Sequence, residues 1–138
     1  MIHLLDHWVC ITNYNPWLYP NESLGIWHVY DSIQNPDKYC PLAAKIIAKF
    51  TDGDNCQFMY VVLPKQIGSL DCGLFALGYA TALCLNINPA TLKFDQTKMR
   101  HEFNQIITKS KAFLFSHTIS DNTHCALIPY WLKDVLRN

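Results

Sequence analysis

The chain predicts an α+β domain: a central mixed or antiparallel sheet, and one buried helix that begins at a cysteine. Three observations carry this. Runs at residues 7–12, 24–31 and 58–63 are rich in β-branched and aromatic residues and partly alternate, as strands do. Helical patterns follow at residues 41–50 and beyond Asp95. A continuous apolar run from Leu74 to Leu85 follows Asp71-Cys72-Gly73, the composition of a helix buried on nearly all sides.

Taken in order, the first two strands flank residues 13–23, rich in Asn, Pro and aromatic residues, so they read as a long-looped hairpin. The aromatic segment around Trp17 and Tyr19 suits a packed loop, with a substrate loop as the alternative, and Asn21-Glu22-Ser23, a glycosylation-type triplet, suits a turn. Pro41 starts an amphipathic helix with Leu42, Ile46 and Phe50 on one face. Residues 52–55 form a turn, and residues 58–63 a buried strand that leads through Pro64 to a loop at Gln66. Asp71 suits the N-cap or first turn of the next helix, which Asn86 and Pro89 end. Asp95 caps a helix through Met99, Phe103, Ile106, Ile107 and Lys111. Residues 120–123 read as a turn and 130–136 as a short amphipathic helix; the tail 113–138 carries no identifiable chemistry.

Composition narrows the function. The 138 residues suit one domain, 1–138. Half are hydrophobic and the formal net charge is zero, enough for a core and without a basic face for nucleic acid. No apolar run is long enough to span a membrane, and residues 1–6 are too short and too acidic for a signal peptide. The six cysteines are scattered, with no Cys-x-x-Cys pair, and His124-Cys125 is not at ligand spacing. Thiols inside apolar elements point to a reducing compartment, nucleus or cytoplasm, and neither a metal nor another cofactor is expected.

The chemistry centres on Cys72. A thiol attacks as a thiolate, which the positive end of a helix and a nearby imidazolium both favour. Gly73, lacking a Cβ, lets a substrate backbone approach the sulfur. Gln66 stands six residues before Cys72, where its amide and the Cys72 N–H can share a developing oxyanion. On the hairpin, His7 near the start of one strand and Asp31 at the end of the next come together. That geometry suits a carboxylate holding Nδ1 of an imidazole whose Nε2 faces the thiol. His28 is the rival base, but its strand parity turns it to the opposite face from Asp31. Asp6 is the rival orienter.

His7-Trp8, Val29-Tyr30-Asp31-Ser32 and Gln66…Asp71-Cys72-Gly73 together resemble the signature of the ubiquitin-like-protein-specific cysteine proteases, the SUMO and adenovirus protease group. The resemblance spans roughly residues 5–110, and it matches in the order His, Asp, Gln, Cys and in the Gln-to-Cys spacing. It implies a papain-like fold with Cys72 as nucleophile, His7 as general base and acid, Asp31 as its orienter and Gln66 as oxyanion donor. It further implies that Trp8 helps roof a tunnel for a Gly-Gly tail, with a SUMO-type ubiquitin-like modifier or a polyprotein as substrate. In that family a sizeable segment precedes the histidine, and here only residues 1–6 do. The alternative expectation is therefore an incomplete, catalytically inactive descendant, such as one from a mobile element, that only binds a partner.

Overall fold

The computed structural model describes residues 1–14, 17, 25–51, 56–120 and 127–137. Their strands are β1 (Ile2–Leu4), β2 (His7–Thr12), β3 (Ile26–Tyr30), β4 (Gln57–Val61), β5 (Leu92–Phe94), β6 (His117–Ile119) and β7 (Leu127–Trp131). The α-helices are α1 (Pro36–Ile47), α2 (Cys72–Cys84), α3 (Gln96–Lys109) and α4 (Leu132–Arg137). The domain is α+β. Five strands form one sheet in the order β1-β2-β3-β4-β7, and β5 pairs with β6 apart from it. The large sheet is mixed: β3 and β4 run parallel, with Ile26 opposite Gln57 and Tyr30 opposite Val61, and its other pairs are antiparallel.

Alternation along the strands explains the layering. Val9, Val29, Phe58 and Tyr60 pack with Tyr39, Cys40, Ala43, Ala44 and Ile47 of α1. Their sequence neighbours Cys10, Tyr30 and Val61 pack with Phe75, Tyr79 and Ala82 of α2. Successive side chains thus feed two cores, one on each face, which is why the strands read as nearly continuous apolar runs. The hairpin of β2 and β3 forms as expected, with Cys10 opposite Tyr30. α2 lies against β2, and its end matches the expectation: Asn86 follows it in the left-handed region, φ 59°.

Several boundaries differ from expectation. α1 begins at Pro36, where Asn35 Oδ1 accepts the Lys38 N–H at 3.3 Å, so Pro41 lies inside the helix rather than at its start. α3 is capped by Asp95 as expected, and it ends at Lys109 before Ser110 at φ 51°. β1, an element that the sequence reading did not assign, extends the sheet and turns through Leu5 at φ 58°. The tail contributes β6, β7 and α4, so Tyr130 belongs to a strand. α2 is not buried all round: Leu74 and Leu77 are only partly covered, and Cys84 is exposed. Leu24 at the predicted start of the second strand, Tyr19, the triplet at 21–23, the turn at 52–55, most of the turn at 120–123 and His124-Cys125 lie outside the described residues.

Candidate active site

His7 opens β2, and Asp31 directly follows β3. The register that sets Cys10 opposite Tyr30 brings Asp31 level with Val9, two residues from His7 on the same face. The two side chains meet: His7 Nε2 lies 2.5 Å from Asp31 Oδ1, with both groups fully buried. This corrects the expected orientation of the ring. Nε2, not Nδ1, engages the carboxylate, and Nδ1 is buried without a hydrogen-bond partner. The ring also lies against Tyr39 of α1, at 4.6 Å between centroids. A buried nitrogen of this kind is costly unless another group uses it.

Asp31 is the most heavily bonded carboxylate of the site. Besides His7, its oxygens accept the Ile33 N–H at 2.8 Å, the Asn35 N–H at 3.2 Å and the Tyr60 hydroxyl. Burial pushes its pKa upward, but the hydrogen bonds from His7, Tyr60 and Ile33 outweigh that, and the group stays below the usual aspartate value. Burial and the adjacent carboxylate push the Tyr60 hydroxyl well above its usual range, so it remains a donor. The rivals separate cleanly. Asp6 pairs with Lys38 at 3.0 Å and accepts from the Tyr39 hydroxyl at 3.2 Å. His28 shares the strand parity of Tyr30, on the α2 side of the sheet, and burial lowers its pKa to about 4.

Cys72 is the first residue of α2 and lines a surface cleft with Trp8, Leu70, Gly73, Leu74 and Arg100. A Cβ added to Gly73 would meet Trp8 Cδ1 at 3.5 Å, so the indole covers the start of the helix beside the sulfur. Trp8 is 40% exposed, as befits a cleft wall rather than a core residue. The strand therefore sends His7 toward α1 and Trp8 toward α2. No hydrogen bond joins His7 Nδ1 to the Cys72 thiol. Asp71 occupies the N-cap position as expected, but its side chain does not cap the helix. It turns to α3, where Arg100 Nη2 lies 2.6 Å from one oxygen and Gln96 Nε2 donates to the other at 2.7 Å. The first amides of α2 are thereby left without a side-chain acceptor from Asp71, the condition for binding an oxyanion or a thiolate there.

Gln66 is buried, and its backbone N–H donates to Ser32 O at 2.8 Å. Its side-chain oxygen accepts from the Ser32 hydroxyl, and its Nε2 donates to Gly68 O at 2.9 Å. Gln66 is thus tied to the residue after Asp31, with one amide hydrogen committed to its own loop. Sequence reading missed the groups that orient the site: Tyr60 and Ser32 near Asp31 and Gln66, and Gln96 and Arg100 on α3. The only local signal was the Ser of Tyr30-Asp31-Ser32; the others reach the site across the fold.

The remaining thiols differ in kind. Burial pushes Cys10 up to about 11 and Cys40 up to about 12, and it also raises Cys56, so all three behave as small core groups. Among the described residues, no group of three His, Cys, Asp or Glu side chains is placed to hold a metal ion. No described helix is long and apolar enough to cross a membrane. Compared with protein-family models, curated proteins and solved structures, the chain gives no match.

Proposed function

We propose that the protein is a cysteine-type peptidase or isopeptidase of papain-like architecture, cleaving after the C-terminus of a SUMO-type ubiquitin-like modifier or within a polyprotein. The observation that supports this best is the buried His7–Asp31 pair, with a spare imidazole nitrogen, on the strand whose next residue walls the Cys72 cleft. The Cys72 thiolate attacks the scissile carbonyl, and the helix amides and Gln66 steady the oxyanion. His7 takes the thiol proton and gives it to the leaving amine, which departs as the thioester forms. Water, deprotonated by His7, then hydrolyses the thioester and frees the carboxylate and the thiol. Asp31 keeps the imidazole in place throughout. For Nδ1 to serve, the ring and the sulfur must close up when substrate binds, a tightening common in such sites.

A second reading, a binding module without turnover, draws on the missing thiol–imidazole hydrogen bond. One experiment separates the two. A panel of ubiquitin-like modifiers carrying C-terminal thiol-reactive traps is incubated with the folded chain and with Cys72→Ala. An adduct that needs Cys72 supports the peptidase, and Cys72→Ala should then lose turnover by at least about a thousandfold while still binding the modifier. Turnover retained in Cys72→Ala overturns the assignment. Absence of any adduct, together with no cleavage of a peptide library, favours the binding module.

A further inference from the structure

An aspartate at a helix N-cap ordinarily turns its carboxylate to the first amides. Asp71 does not: one oxygen accepts from Gln96, and the other lies against the Arg100 guanidinium as an ion pair without a hydrogen bond. Gln96 does more: its Oε1 accepts the Ile67 N–H and its Nε2 donates to the Ile67 carbonyl, each at 2.8 Å. Arg100 reaches the Leu70 carbonyl at 3.5 Å. Residues 96 and 100 lie one turn apart on one helix face, so a single edge of α3 grips the loop before Cys72 at both ends. The Asp71 side chain is 15% exposed and largely sequestered by these partners.

We propose that Gln96 and Arg100 are positioning residues for the thiol: they hold the Asp71 carboxylate and the 67–71 loop on α3, leaving the start of α2 and the Cys72 sulfur without a neighbouring negative charge. The proposal rests on Cys72 being the nucleophile of the function proposed above. Released, the carboxylate would swing to the helix amides, opposing a thiolate and occupying the donors an oxyanion needs. Besides Arg100, the titratable side chains lining the Cys72 cleft are His3 from β1 and Asp6 from the following turn, with the charge of Asp6 met by Lys38. Arg100 is the group that meets the charge of Asp71.

The test is alkylation of the full chain by iodoacetamide, read peptide by peptide, with exposed Cys84 at the far end of the same helix as internal reference. It needs no substrate, so it is independent of whether a modifier is found. Arg100→Met should slow Cys72 alkylation at about pH 7 roughly tenfold relative to Cys84. The difference should narrow as the pH is raised, because the thiolate is the attacking form in either protein. The pair Arg100→Met with Asp71→Asn should recover the original rate, although it lacks the same ion pair, and Arg100→Lys should retain most of it. An unchanged rate in Arg100→Met overturns the proposal. So does a double variant as slow as the single one, which would make Arg100 a staple rather than a charge partner. Should Arg100→Met fail to fold, Arg100→Gln carries the same comparison. A Cys72 that reacts no faster than Cys84 at any pH in the unaltered chain would remove the nucleophile itself, an outcome distinct from the other two.

Discussion

His7 and His28 stand on adjacent strands, both essentially out of solvent, yet physical chemistry gives them different tasks. His7 meets a carboxylate. His28 is buried on the other face, and burial lowers its pKa from the usual 6.5 to about 4. Below about pH 6.5 the unfolded chain binds a proton at this position that the folded chain refuses until about pH 4. Its contribution to stability is therefore fully present above about 6.5 and is lost as the pH falls toward 4. Each unit is worth about 1.4 kcal/mol, so the fold should lose about 2 kcal/mol through His28 between about pH 7 and pH 5. Urea midpoints at the two pH values measure it, and His28→Gln should flatten that part of the slope even if it lowers stability at both. An equal slope in the variant would mean that His28 titrates as it does in the unfolded chain. Asp31, also held below its usual value, gives a slope of the same sign, but only in the more acid range below about 3.9.

At the scale of elements, α2 depends on a small residue at one crossing. A Cβ at Gly78 would lie 2.9 Å from Phe94 Cε2 and Cζ, and 3.2 Å from Phe115 Cδ2. Phe94 has little freedom to move aside, since it packs against Phe75, Tyr79, Phe115 and His117. Gly78→Ala gains up to about 1 kcal/mol of helix propensity, against a crowding cost of about 1–3 kcal/mol. We expect a net loss of about 1 kcal/mol, read from urea unfolding; a more stable variant would show that the aromatic cluster gives way. The sequence made this helix legible, because a long apolar run starting at Cys72 has few other uses. It did not reveal that Leu74 and Leu77 would face a cleft, since an all-apolar helix does not mark which side is covered. The start of α1 was misplaced because two prolines compete: the Asn35 cap singles out Pro36, and Pro41 is carried inside the helix. β7 was hidden by Pro129, which an edge strand tolerates and a central strand does not. β5 and β6, of three residues each, are too short to show a period. Strand parity was enough to pair His7 with Asp31. Which ring nitrogen meets Asp31 is a matter of side-chain rotamer, and the grip of α3 on Asp71 rests on contacts far apart in sequence; neither leaves a local pattern.

For the whole molecule, the part of the chain with no chemistry of its own closes the sheet that holds the site. Phe115 is buried in the α2 core, and β7 covers the far edge of β4, where Phe58 stacks on Tyr130 at 5.2 Å between centroids. Val135 of α4 packs on the α1 core. Without residues 121–138, β4 would become an edge with its residues 58–61 buried on both faces, a row of unpaired backbone groups beside apolar side chains. Such an edge invites pairing with another chain. The truncated protein should therefore elute as oligomer or aggregate and lose its cooperative urea transition, whereas the full chain keeps one; a monomeric truncation with an equally sharp transition would contradict this. The consequence reaches the site, because β4 carries Tyr60, whose hydroxyl donates to Asp31. Loosening β4 removes one of the donors that hold Asp31 ionised, and with it part of the grip on His7. The C-terminal strand thus bears on the imidazole through a chain of contacts: β7 on β4, Tyr60 on Asp31, and Asp31 on His7.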